Sequence, residues 1–324
     1  ALRRGLQQNL GVLLEEQRVR QAEGIRWRLL SGLLPDVSGV IRQTREKVNL
    51  AAFGFTGFPG VPSIIGPFNV FDARVGVSQP VLDLSATHEA KQGAAELRAE
   101  QYSYDDARHV VLLVVTNLYL QAVAGDSRVA AARVQAETAE SLYRLAVDQN
   151  NAGVVPRLDV LRADVERKAA THRRITAEND AARARLALAR AIGLPSTQPF
   201  SLSDVMSFAP LAPLDLAAAR TEALRRRPDV LRAEARVTAA ESAMRAARAT
   251  RLPSVSVDGN VGWIGNAASA AERTFAVAAN VHIPIFEAGR AEARVLERSA
   301  ELRQRQAELQ DVRANVSYEI ETAL

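Results

Sequence analysis

Histidines, paired carboxylates and serines are where a catalytic or metal-binding reading of this chain would begin, and their spacing supplies no such site. His88, His109, His172 and His282 stand far apart in sequence, whereas a zinc site draws its ligands from clustered His, Cys or carboxylate residues. Cysteine is absent, which removes disulfides, thiolate ligands and thiol nucleophiles. No serine sits in a nucleophile elbow, and no glycine loop is built to cradle phosphate. The adjacent carboxylates Glu15 with Glu16, and Asp105 with Asp106, read as solvated helix faces. We expect no enzyme, no metal and no cofactor.

The polar residues that do fall into a pattern lie in short alternating segments. In "FDARVGVSQPVLD" (Phe71 to Asp83), Phe71, Ala73, Val75 and Val77 alternate with Asp72, Arg74, Gly76 and Ser78. Val255, Val257, Val261 and Trp263 likewise oppose Ser256, Asp258, Asn260 and Gly262, and Phe275, Val277, Val281 and Ile283 oppose Asn280 and His282. Side chains alternate between the faces of a strand, so each segment has one apolar and one polar face. We place strands at about 37–45, 71–81, 255–264 and 275–286; the first is weakest, because Val40 interrupts its polar face. Ten-residue strands of this kind are the signature of a transmembrane barrel, and a half-buried strand of a soluble sandwich has the same alternation. In the barrel reading, Asp72, Arg74, Ser78, Asp258, Asn260, Asn280 and His282 line a hydrated lumen and bias its ion selectivity through their charges.

Long helices flank these strands. Between Pro80 and Pro156 there is no proline, and a helix over most of that span would be on the order of 100 Å long. Leu112, Val115, Tyr119, Val123, Leu142 and Leu145 recur in it at helical spacing. The break "DQNNAGVVPRLD" (Asp148 to Asp159) has turn chemistry: paired asparagines, Gly153, then Pro156 opening the next helix. That helix continues to about Ile192, giving a helical hairpin. Residues 193–213 are rich in Pro and Ser and read as an irregular connector. A helix resumes near Leu214, restarts or kinks at Pro228, and ends at "RLPS".

Composition agrees. Hydrophobic residues make up 48% but aromatics only 5%, and the alanine-rich remainder suits close-packed helices better than a thick core. The net charge of +4 comes from well-interleaved 41 basic and 37 acidic residues, which argues against a nucleic-acid partner. The longest unbroken apolar run, "VVLLVV" from Val110, is far short of the ~18 residues of a membrane-spanning helix. No signal peptide is evident; the chain opens inside a helical pattern, as a processed or trimmed product would.

The chain also repeats itself. "ALRRG…GLLPDVSG" (Ala1 to Gly39) is echoed by "ALRRRPD…TRLPSVSVDG" (Ala223 to Gly259), and Phe71, Val77 and Pro80 recur as Phe275, Val281 and Pro284 at constant spacing. Each copy reads helix, strand, loop, strand, long helix. The domains are then 1–192, a first repeat; 193–213, the connector; and 214–324, a second repeat that stops before its own hairpin turn. Four strands cannot close a barrel, and the helices are too long to cover a small sheet. A barrel shared among several copies resolves both, because strands in lipid leave no open edge.

With "VGVSQPVLD" and "VHIPIFEAGR" at the strand-to-helix junctions, "LYRLAVDQNNAGVVPRLDVLRAD" at the hairpin and "ALRRRPDV" opening the second repeat, the chain resembles the TolC-like outer-membrane efflux protein family over essentially its whole length. The resemblance implies a mainly α fold with membrane β structure. Long antiparallel hairpins would form a trimeric α-barrel in the periplasm, and four strands per subunit a shared 12-stranded β-barrel in outer-membrane lipid. Its partners would be two further copies, a periplasmic adaptor and an inner-membrane pump, with the connector as the equatorial region. Ala152, Gly153 and Val154 match the adaptor-docking tip, and Asp159 falls where the family can place an aperture gate; residues of a second tip would lie beyond Leu324. Gly153 is equally suited to ending a helix, and Asp159 to a first-turn carboxylate facing the helix dipole. Pro80 and Pro284 mark the two junctions where strand becomes helix. The rival from another class is a non-transporting coiled-coil stalk, which accounts for the helices but not for the matched strands.

Overall fold

The computed structural model describes residues 1–54, 62–195, 197–204 and 215–323. Its helices are α1 (Leu2–Gln8), α2 (Leu10–Ser31), α3 (Leu84–Asn151), α4 (Arg157–Ala191), α5 (Leu216–Arg226), α6 (Pro228–Ala249) and α7 (Arg290–Thr322), and its strands are β1 (Asp36–Asn49), β2 (Ile64–Leu82), β3 (Ser254–Gly265) and β4 (Glu272–His282). The segment 49–66 between the first two strands and the expected connector 193–213 lie partly outside the described residues.

Two compact units divide the chain: one comprises 1–19, 100–229 and 319–324, the other 20–99 and 230–318. The first holds the α3–α4 hairpin. Its core is Val12, Val111, Val115, Ala122, Leu188 and Ile192, flanked by Tyr119 and Phe200. By length and composition α3 does include a window apolar enough to cross a membrane, although its longest unbroken apolar run is short. Thr116, Asn117 and Gln121 interrupt it, and its Val111, Val115, Ala122 and Val123 are buried within the unit. Along the hairpin the helices approach closely: a Cβ on Gly125 would come within 3.2 Å of the Ala181 backbone. Arg185 reaches Asp126 at 2.6 Å and Arg133 reaches Glu178 at 3.2 Å; such exposed pairs add little stability each and mainly hold the two helices in register.

In the second unit the β strands form one antiparallel sheet in the order β1-β2-β3-β4. In the same unit α6 buries a row of alanines: Ala239, Ala240, Ala243, Ala246 and Ala247. Side chains this small let helix backbones come near enough for the Ser85 hydroxyl of α3 to donate to the Ala246 carbonyl of α6 at 3.2 Å. Val230 of α6 and Val316 of α7 are fully buried, and Arg313 of α7 pairs with Glu234 of α6 at 2.8 Å. On α7, Glu308 accepts from Arg305 and Gln304, both at 2.9 Å. These bonds, Arg305 first, hold its carboxyl below the ordinary 4.5, with Arg236 of α6 adding to the effect.

The strands are longer than the alternation marks. β1 runs on to Asn49 and β2 starts at Ile64, because the two pair through Asn49 opposite Ile64 beyond a register shift at Glu46 to Val48. β4 is shorter at its end: it stops at His282 instead of Phe286, since its partner β3 begins at Ser254, directly opposite His282. Pro80 lies inside β2, opposite Ser256 at a register shift, where a missing N–H costs no ladder bond. Pro284 lies beyond β4.

Two measurements test this packing. Leu188→Ala removes a fully buried side chain and should cost about 2–5 kcal/mol, read as a lower Tm of the detergent-solubilised protein. Because Glu308 titrates lower when folded than when unfolded, its contribution is complete above the unfolded pKa and is lost as pH falls through the folded one. Glu308→Gln should therefore lower Tm near neutral pH and leave it unchanged in strong acid.

Candidate functional site

Register decides which strand residues act together, since residues directly opposite one another share a face. Ser78 pairs with Asp36 on one side and Asp258 on the other, and Arg74 with Val40 and Gly262. Ser256 pairs with Asn280, Asp258 with Ala278 and Ser254 with His282. All seven expected polar residues, Asp72, Arg74, Ser78, Asp258, Asn260, Asn280 and His282, therefore lie on one face. Register adds Asp36, Ser38, Arg42, Thr44, Glu46, Glu272 and Thr274 to it. The alternation of β1 carries this signal, but Val40 obscures it.

The polar face is an organised network. Arg74 donates to Asp72 at 2.6 Å and to Asn260 at 3.4 Å. It lies across Gly262, where a Cβ would sit 2.4 Å from Arg74 Cβ; only glycine leaves that path open. Asp258 accepts from Asn280 and Ser256 and is hydrogen-bonded to Ser78 across the β2–β3 pair. Holding Arg74, Asp72 and Asp258 to fixed partners keeps this part of the face ordered while leaving it open to water.

On the opposite face the apolar side chains have no cover. Ile41 is 79% exposed, Phe275 80% and Val277 73%, and Val37, Val75, Trp263 and Val281 are exposed with them. An uncovered apolar face this continuous marks a membrane or partner surface. Among the described residues both outer edges of the sheet, β1 and β4, are also unpaired.

At the hairpin turn, α3 ends in a Schellman motif. Gly153 has φ +75; its N–H donates to Asn150 O at 3.0 Å and that of Val154 to Gln149 O at 2.9 Å. The Asn150 amide donates to Val155 O at 2.7 Å, closing the turn across Gly153. Ala152, Gly153 and Val154 are all exposed, so the turn is a rigid, small-residue knob. Asp159 sits in the first turn of α4 and pairs with Arg162 at 3.4 Å, three residues along the same helix. The four histidines stay apart: His88 and His109 on α3, His172 on α4, His282 at the end of β4.

The family model described as "Outer membrane efflux protein" matches residues 6–194 and 219–324. The chain belongs to the outer membrane efflux protein family. Among its relatives it is 29% identical over 301 residues to the pyoverdine export outer membrane protein OpmQ of Pseudomonas aeruginosa, covering 91% of this chain and 62% of that protein. It is 27% identical over 298 residues to the probable efflux pump outer membrane protein TtgC of Pseudomonas putida, covering 87% of this chain and 56% of TtgC. The chain thus spans less than two thirds of either relative's length. Among solved structures the fold matches the outer-membrane channel OprN with TM-score 0.82 at 22% identity, over 99% of this chain and 71% of OprN. It matches VceC of Vibrio cholerae with TM-score 0.79 at 14% identity, over 97% of this chain and 74% of VceC. An efflux-family fold of helical barrel with a share of a β-barrel accounts for the two-faced sheet, and it places the protein in the outer membrane. The family and its solved neighbours are channel and efflux proteins.

The turn geometry yields a stability test. Gly153 has open space around its missing Cβ, so Gly153→Ala pays only for the left-handed backbone, about 1 kcal/mol. Gly153→Asn should cost less, and thermal melting of the two variants beside the parent protein ranks them.

Proposed function

We propose that this efflux-family chain forms a passive exit duct from periplasm to exterior in a tripartite efflux or secretion system, and that it is not an enzyme. One observation carries the reading: a single sheet with a bare apolar face, an ordered charged face and two free edges, continued by long helices. In lipid the apolar face is satisfied and the free edges are not, so closure needs further copies. Three copies give the 12 strands of a shared barrel, a homotrimer. The charged faces then turn inward, where Asp72, Arg74, Ser78, Asp258, Asn260, Asn280 and His282 line a wet lumen.

Such a duct supplies no energy of its own. An inner-membrane pump provides it, linked through a periplasmic adaptor. We assign adaptor docking to the knob at Ala152, Gly153 and Val154, which presents exposed backbone on a turn stiff enough to be read by shape. Asp159 is the candidate aperture residue; its pairing with Arg162 leaves it on the helix surface, where a carboxylate can exchange partners when the aperture opens. The strand-to-helix transitions at Pro80 and Pro284 set the boundary between barrel and periplasmic helices, and the repeats 1–192 and 214–324 with the connector 193–213 are the units of assembly. The relative OpmQ is by its name a pyoverdine export protein; the polar face here runs along the strands rather than being shaped around one ligand. A coiled-coil stalk would have no use for the sheet.

Membrane fractionation and planar-bilayer recording test the duct. The expected result is a trimer recovered from the outer membrane that conducts ions; a soluble monomer, or a trimer without conductance, overturns the reading. Gly153→Trp should lower efflux while trimers still form, and unchanged drug resistance in that variant would remove the docking role.

A further inference from the structure

Charge is sorted between the two faces of the sheet. The strands carry five carboxylates, Asp36, Glu46, Asp72, Asp258 and Glu272, and pairing puts every one of them on the polar face. Arg42 and Arg74 share that face, Arg42 opposite Asp72 and Arg74 bonded to it. The apolar face holds charges of its own, and all are basic: Arg45, opposite Asn69; Lys47, next on the same side of β1; and Arg273, opposite Trp263. All three are exposed. No carboxylate of the strands shares their face, and the loops beside them, 50–63 and 266–271, contain none either.

These cations also lie at one end. The chain enters and leaves the sheet toward its helices at the other end, at Asp36, Leu82, Ser254 and His282. On β3 the apolar face runs from Val255 to Trp263, roughly 20 Å once the rise per residue is corrected for barrel tilt, close to the ~25 Å apolar band of an outer-membrane barrel. Arg273 is level with Trp263 and Ile41 at the edge of that band. Arg45 stands about 10 Å further out, in the headgroup layer, with Lys47 beyond it. A cation on the lipid face is costly at the midplane and nearly free at the interface, where tryptophan is also at home. Edge strands of soluble sheets carry Lys and Arg to blunt aggregation, but that use would not confine them to one face and one end.

We propose that Arg45, Lys47 and Arg273 form a binding surface for phosphate-bearing lipid of the outer leaflet. The inference rests on the shared-barrel reading above, in which the loops point outward and β4 of one copy lies beside β1 of the next. Cations at opposite edges of one sheet then gather into a patch at each subunit junction. Arginine grips phosphate with a planar fork, and lysine reaches it as a flexible point charge. Their stems rest on apolar surface while the charged heads extend into the headgroups. The three are exposed rather than enclosed, so a free anion gains little there. A lipid gains more, because its acyl chains pack on Phe275 and Val277, which are bare beside Arg273 on the same face. That pairing of charge with apolar surface selects an amphiphile with an anionic head.

Lipid A is the probe, and its dephosphorylated form, which keeps the acyl chains, is the control. Native mass spectrometry of the full-length trimer in detergent should show lipid A retained and the dephosphorylated form lost. Arg45→Gln, Lys47→Gln and Arg273→Gln should each weaken retention about fivefold, the factor one cation contributes at an anionic surface. Arg45→Lys and Arg273→Lys should keep most of it, and Arg42→Gln, on the polar face, all of it. Added salt should weaken binding to the parent protein. Trimer formation is checked for every variant, and the single Gln and Lys variants decide the matter if the triple Gln variant fails to assemble. Equal retention of the two lipids, or retention unchanged by the Gln substitutions, overturns the lipid surface. So does saturable binding of inorganic phosphate alone that the same substitutions abolish. Each of these leaves a conducting trimer, and with it the duct, standing. A protein that forms no trimer in the outer membrane overturns both.

Discussion

Unsatisfied backbone at a strand edge is the constraint on which this structure turns. In water an open edge is a tolerable liability, but in hydrocarbon each unpaired N–H and C=O costs several kcal/mol. The sheet here has bare apolar side chains on one face and charges tied to one another on the other. It also has two edges that its own chain leaves unpaired. The described strands of one copy leave both edges open. The side-chain pattern asks for lipid, lipid forbids the edges, and the edges ask for more copies.

The helical part answers a different demand. Long helices leaving a membrane sheet have no globular core to rest on, so they must pack on one another over their length. Alanine on α6, and Gly125 against Ala181 in the α3–α4 hairpin, let helix backbones approach with little side-chain volume between them. Large buried side chains are concentrated instead where several elements meet, as with Leu188, Val115 and Val111 in the unit that holds the hairpin. The 5% aromatic content thus fits the packing: helices that meet through alanine and glycine leave few places where an aromatic ring can be enclosed.

Much of this was legible in the residues because proline, glycine and alternation are local signals. Pro156 and Gly153 mark the hairpin, and the Asp72, Arg74 and Asp258, Asn260 alternations mark the polar face. What could not be read was decided by pairing. β1 continues to Asn49 and β2 begins at Ile64 because they find each other, although "IIGPFNV" does not alternate. Asp36 and Glu46 join the polar face only once register ties them to β2, since Val40 interrupts their pattern. The apolar window of α3 was hidden by scattered polar residues that a count of unbroken runs treats as breaks. At the tip, glycine was evident in sequence, but the Asn150 amide bond that closes the turn depends on where Val155 comes to rest.

The end of β4 shows most clearly why a strand is a relation and not a segment. The same residue pattern precedes Pro80 and Pro284, and by sequence both should remain strand up to the helix. One does, since β3 lies beside it through Val255; the other stops at His282, where β3 begins and no strand lies on its far side. Local propensity at the two junctions is closely matched, so the difference measures what the neighbouring strand contributes. Ile283 to Phe286 carries strand chemistry without a partner, and exposed Ile285 and Phe286 mark how much apolar surface that missing strand would cover. The internal repeat therefore does more than duplicate an element. It sets two closely matched junctions in one chain, one held by a neighbouring strand through Leu82 and one whose strand ends at His282.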